Sequence, residues 1–234
     1  MGNFGPSAPG DHGSTVKRMV EQITPRQFHD GAGVEDWRML AHGVCAYFRA
    51  GSFQAGAQLV DAIAELADAA NHHPEIDLRY AGVTVRLITH EVGGLSTRDA
   101  SLARQISEVA RELDIPAEPA AVHDIDLTID ALTAPQVMPF WRAVLGYTQI
   151  GDADLEDRLG RGPSIWFQEM DTPRPERNRV HVGVWVPHDA AEARVEAAIA
   201  AGGHLVTDEH APAWWTLADA EGNEVVVATW MGRG

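Results

Sequence analysis

Asn71-His72-His73-Pro74-Glu75, followed closely by Thr89-His90-Glu91, brings three histidines into one short stretch of chain. Histidine is the side chain whose unperturbed pKa, about 6.5, lets it give and take protons near neutrality. Two adjacent imidazoles, with a third at the end of a strand-like run over residues 83–89, could do acid/base chemistry or hold a metal. His-His-Pro also suits a plain helix C-terminus. There the imidazoles complement the negative end of the helix dipole and the proline stops the helix.

The elements that must position these side chains are legible around them. Residues 52–70 read as a helix capped by Ser52, with Phe53, Ala57, Val60, Ala64 and Ala67 recurring along one face. Residues 38–42 and 45–49 read as a hairpin turning at Gly43, and residues 77–80 and 83–89 as another turning at Ala81-Gly82. In the latter, Val83, Val85 and Leu87 share one face and Thr84, Arg86 and His90 the other. A second long helix is expected over residues 97–112, capped by Ser96 or Thr97. Helices on one face of a four-stranded antiparallel sheet make a two-layer α+β domain.

The His-His-Pro-Glu run, the strand ending Thr89-His90-Glu91, Gly93-Gly94-Leu95 and Arg98-Asp99 together resemble the pterin-4a-carbinolamine dehydratases, over about residues 23–113. The resemblance implies a metal-free hydro-lyase that needs no cofactor, the pterin being the substrate. It carries the catalytic roles onto His72, His73 and His90, with His90 and His73 as the principal proton carriers. It also implies a homodimer or homotetramer. Asp68 falls where the family carries an acidic residue, more usually glutamate, and Ile76 where tryptophan is common. Asp68, Glu75 and Glu91 are candidate substrate contacts; for the two glutamates the plainer reading is a structural or solvated carboxylate. Arg98 reads more simply as a helix-start or surface residue.

Beyond a proline-marked linker at residues 116–121 the pattern changes, which divides the chain into a tail (1–22), a first domain (23–115) and a second (122–234). Strands are expected over 124–131 and 164–170 with a helix over 135–145 between them. The order then recurs, with a strand at 179–186, a helix at 190–201 and strands at 203–207, 214–217 and 224–229. Such an echo suggests a paired βαβββ module. Phe140-Trp141, Leu145-Gly146-Tyr147 and the run over 219–224 resemble the glyoxalase/bleomycin-resistance/dioxygenase family, the vicinal-oxygen-chelate fold. The positions where that superfamily places metal ligands fall near Asp126, Gln168 or its neighbour Glu169, His181 and Val226. Valine cannot ligate and glutamine does so weakly, so a metal centre is not expected. Instead Asp126, Trp166, Gln168, His181, Trp185 and Trp215 are candidates for lining an apolar cup, with core packing as the plainer reading of the tryptophans.

Composition narrows the classes of partner. A net charge of −16 with a single lysine, Lys17, argues against nucleic acid, whose phosphates demand Lys and Arg. No run approaches the roughly 20 apolar residues of a membrane span, and the first residues lack the pattern of a signal peptide. One cysteine, Cys45, in an apolar run, reads as a packed side chain in a reducing cytoplasm. His123, His188, His204 and His210 fall near turns and are expected in solvent. A metal-dependent lyase or dioxygenase run by the second domain, and a non-catalytic binding protein on the same scaffold, are the alternatives.

Overall fold

The computed structural model describes residues 20–135, 137–138, 142, 147–160, 162–172, 180–200, 202–218 and 224–232. A four-stranded antiparallel sheet in the order β2-β3-β5-β4 forms the first layer, from Arg38–Leu40 (β2), Gly43–Phe48 (β3), Glu75–Arg79 (β4) and Gly82–Leu87 (β5). Its inner face is alternating and apolar: Val44, Ala46, Phe48, Val83, Val85 and Leu87 are all fully buried. Helices α2 (Phe53–Ala70) and α3 (Thr97–Glu112) cover that face, while a short α1 (Pro25–His29) lies ahead of β2. Trp37 bonds the layers together, its indole N–H donating to the Ala103 carbonyl and the Ser107 hydroxyl, each at 3.1 Å, while its ring meets Phe48 edge-on.

Several details depart from the sequence reading. The inward stripe of α2 is Gly56, Leu59, Ile63 and Ala67, not the stripe through Phe53 and Ala64, both of which are exposed. Leu59 and Ile63 bury more apolar area than the alanines of the rival stripe, and area decides which face turns inward. The hairpins turn one or two residues earlier than expected, and Gly43 and Gly82 each open a strand. Gln22, assigned to the tail, pairs with Ser96 in a two-stranded sheet formed by β1 (Gln22–Ile23) and β6 (Leu95–Ser96). Residues 1–19 lie outside the described residues.

Among the described residues the second domain forms an eight-stranded sheet in the order β12-β13-β14-β11-β7-β10-β9-β8. Asp124–Ala131 (β7) and Val180–Trp185 (β11) run antiparallel at its centre. Ser164–Glu169 (β10) pairs parallel with β7, as Glu224–Ala228 (β14) does with β11, so each half repeats one arrangement. Thr148–Ile150 (β8) and Asp154–Glu156 (β9) complete one half, His204–Thr207 (β12) and Trp214–Ala218 (β13) the other. The first pair escaped the sequence reading because three-residue strands are too short to show a period. Ala191–Ala200 (α4) packs on one half; in the other, Ala134, Pro135, Val137, Met138 and Arg142 are helical. The rest of the expected 135–145 helix, including Phe140 and Trp141, lies outside the described residues.

The outer face of the first sheet meets the second domain. Cys45 and Leu40 pack there with Val122, and burial pushes the Cys45 thiol up to about 12. The native protein should therefore leave Cys45 unmodified by a thiol reagent at pH 8 and release one equivalent only on unfolding. Arg86 on β5 donates to both carboxylate oxygens of Asp124 on β7, at 2.6 and 2.9 Å. Burial raises the Asp124 carboxyl, but the bonds and charge of Arg86 outweigh it and hold it below the ordinary range. The stabilisation from this depressed carboxyl is present above its unfolded pKa, about 3.9, and is lost as pH falls through the folded value. Arg86→Met should cost about 3 kcal/mol at pH 7 by leaving the largely buried Asp124 carboxylate without its guanidinium partner. In melts, the gap from wild type should be full at neutral pH and shrink only as pH falls through the depressed folded value of Asp124.

Candidate active site

The end of α2 is shaped by Asn71. It adopts the left-handed conformation (φ 46°), and the His72 N–H then donates back to the Ala67 carbonyl at 3.0 Å. This left-handed helix stop turns the chain sharply. His72 goes inward, 8% exposed, while His73 stays 62% exposed. The His73 Nε2–H donates to Asp68 Oδ1 at 2.9 Å, from the preceding helical turn.

At the end of β5 the chain makes a second tight stop. Thr89 and Gly94 exchange backbone hydrogen bonds, and residues His90–Val92 form a single 3-10 turn between them. Gly93 closes that turn at φ +59°, a conformation glycine adopts without strain. His90 lies at the loop's exposed rim and Thr89 is buried beneath it.

Asp99 joins the two stops. It is fully buried, yet every polar partner it needs is present. Its Oδ1 accepts from His72 Nε2–H at 2.8 Å. Its Oδ2 accepts from the Thr89 hydroxyl at 2.6 Å, from the Ser96 N–H at 2.7 Å and from the Ser96 hydroxyl at 3.1 Å. Ser96 and Asp99 form the capping box of α3, so the residue that starts the helix also fixes the histidines' frame. One carboxylate thus holds the ring of His72 and the residue before His90. From that anchor His73 and His90 extend into solvent, while the acceptor carboxylate sets the proton of His72 on Nε2.

The remaining first-domain candidates are peripheral. Glu75 and Glu91 are exposed, at 3.9 Å from Arg86 and 3.5 Å from Arg98. Asp99 and Thr89 entered the sequence reading only as part of a pattern, although the Ser96-to-Asp99 spacing is the signal that could have singled out the carboxylate.

In the second domain, strand register sorts the candidates. Asp126 lies between Ser164 and Gly183, and Thr128 between Trp166 and His181. Trp185 is opposite Asp124, and Gln168 beside Asp130. Asp126, Trp166, Gln168, His181 and Trp185 therefore share one sheet face, as does Val226, the partner of Gly183. Trp215 does not: one residue out of phase, it is buried on the other face with Leu217, Val227 and Val195 of α4. His188 departs from its expected place in solvent. It lies between His29 and Trp230, with ring centroids 4.8 and 5.7 Å away, and burial lowers its pKa. Among the described residues no three His, Cys, Asp or Glu side chains converge as a metal site.

Comparison with known proteins follows this division. A family model described as Pterin 4 alpha carbinolamine dehydratase matches residues 21–109, and one described as a glyoxalase-like domain matches residues 126–228. A Nocardia farcinica (strain IFM 10152) protein named "Putative pterin-4-alpha-carbinolamine dehydratase" is 49% identical over 76 residues, 32% of this chain and 80% of that protein. Its namesake from Roseiflexus sp. (strain RS-1) is 41% identical over 92 residues, 39% of this chain and 99% of that protein. A crystal structure titled transcriptional coactivator/pterin dehydratase, from Brucella melitensis, is 26% identical with a TM-score of 0.32, covering 32% of this chain and 83% of that one.

Proposed function

Because the chain belongs to the pterin-4-alpha-carbinolamine dehydratase family through its first domain, we propose that it dehydrates a 4a-hydroxytetrahydropterin to the quinonoid dihydropterin. The observation that carries this reading is the anchored trio: a buried His72–Asp99–Thr89 network from which His73 and His90 extend with exposed rings. The reaction breaks the bond from C4a to its hydroxyl, which leaves as water after gaining a proton. A ring N–H gives up its proton, and its electron pair forms the new carbon–nitrogen double bond. One imidazole supplies a proton and another removes one, so the pair ends the turnover with its proton count unchanged. His73 and His90 take these two roles, and His72 holds the loop geometry or the substrate. No step calls for a metal or a redox cofactor.

Asp68 supports the role of His73, since its carboxylate fixes the tautomer and leaves the other ring nitrogen as an acceptor. The test is the lifetime of the carbinolamine generated in situ by a pterin-dependent hydroxylase. Adding the purified full chain should shorten it in proportion to protein concentration. An unchanged lifetime with folded protein would sink the proposal.

A further inference from the structure

The face of the second sheet shared by Asp126 and Trp185 has a trough across it. One row of paired residues, Ser164, Asp126, Gly183, Val226 and Thr216, carries only small or short side chains. The row on one side holds Trp166, Thr128 and His181, and the row on the other holds Asp124, Trp185, Ala228 and Trp214, so an indole and an imidazole flank the floor on one side and two indoles on the other. Same-face rows lie about 7 Å apart, so the aromatic walls stand about 13 Å apart over a low floor. Trp166 is 43% exposed, a large ring left uncovered.

The floor carries one conspicuous polar group. A Cβ at Gly183 would run into the Asp126 carboxylate, so glycine is what lets that carboxylate lie across the strand. The Trp185 indole donates to it, yet its Oδ1 is buried with no hydrogen-bond partner among the described residues. Burial raises the Asp126 carboxyl, while His181 and His42 partly offset this by charge. His42 comes from the first domain: its Nε2 meets the Ser164 hydroxyl at 3.2 Å and its Nδ1 faces Glu156 at 3.8 Å, closing one end of the trough. A buried acceptor without a donor is costly to leave unmade, and an aromatic-walled trough at a domain boundary is a place where planar ligands bind.

We propose that this trough binds a planar heterocycle with a cyclic amidine edge, the 2-amino-4-oxopyrimidine half of a pterin, with Asp126 accepting its ring N–H and amino N–H. A carboxylate and an amidine edge match as two parallel charge-assisted bonds, and the tryptophans cover the ring faces. The choice of a pterin within this class rests on the dehydratase reading. The chain then holds two pterin sites, one in each domain.

Equilibrium dialysis of the full chain against pterin, read by pterin fluorescence, tests this. Lumazine, which carries a carbonyl where pterin has its amino group, serves as the control. Two equivalents of pterin should bind to wild type, and the second site should reject lumazine. Asp126→Asn places a donor against the ligand's donors and should weaken that site by roughly tenfold to a hundredfold, with the dehydration rate unchanged. Trp185→Phe should weaken it less. Two-site binding unaltered in Asp126→Asn, equal binding of lumazine, or a single site in wild type would each overturn the proposal. Absence of dehydration with the Asp126-dependent site intact would instead count against the first-domain reading alone.

Discussion

His90→Ala is expected to lower carbinolamine dehydration by about 10²- to 10⁴-fold, and His73→Ala by a comparable factor, the range for loss of a positioned acid or base. Both rings are exposed and neither lies in the apolar core. Their removal should therefore move unfolding free energy by no more than about 0.5 kcal/mol. The expected pattern is a large fall in kcat with a small change in melting temperature. His73 donates to Asp68 at 2.9 Å. Asp68→Asn should thus fall between wild type and His73→Ala, because amide oxygen still accepts while the charge is gone. Parallel losses of rate and stability in His90→Ala would mean that the loop, not the ring, had been disturbed.

Asp99→Ala should be the most damaging single change in the first domain, costing about 3 to 5 kcal/mol. The carboxylate is fully buried, and its removal leaves His72, the Thr89 hydroxyl and the Ser96 N–H without their shared acceptor. The α3 cap is lost with it. Because these losses alone can unfold the alanine variant, Asp99→Asn separates structure from positioning. It keeps the shape and one acceptor but places an amide donor against either the His72 N–H or the Thr89 and Ser96 donors. A folded Asp99→Asn protein should lose kcat at least tenfold with KM nearly unchanged. A folded variant with wild-type kcat would show that the carboxylate serves the fold alone.

What could be read in the chain was set by the range of the interactions involved. The strands of β5 and β7, the two long helices and the Ser52 and Ser96 caps depend on local periodicity and nearest neighbours, and they lie within a residue or two of where the pattern put them. The stripe of α2 was misjudged because alanines recur on two of its faces, and only packing against β5 shows that Leu59 and Ile63 turn inward. The His72–Asp99 bond joins residues 27 apart, and a capping aspartate gives no local sign that its second oxygen holds a histidine. Trp215 and Trp185 look alike in sequence; strand phase alone sends one to the core and the other to the open face. His188 and His42 owe their surroundings to contacts between the domains, which no local pattern encodes.

Dehydration by two histidines of the first domain is tested by the initial rate with 4a-hydroxytetrahydropterin for wild type and for the His73→Ala/His90→Ala double variant, each with and without EDTA. The wild-type rate should stand well above the spontaneous one and be unmoved by EDTA, with the folded double variant reduced to the spontaneous rate. A folded wild type with no acceleration, a rate abolished by EDTA, or a double variant as fast as wild type would contradict it.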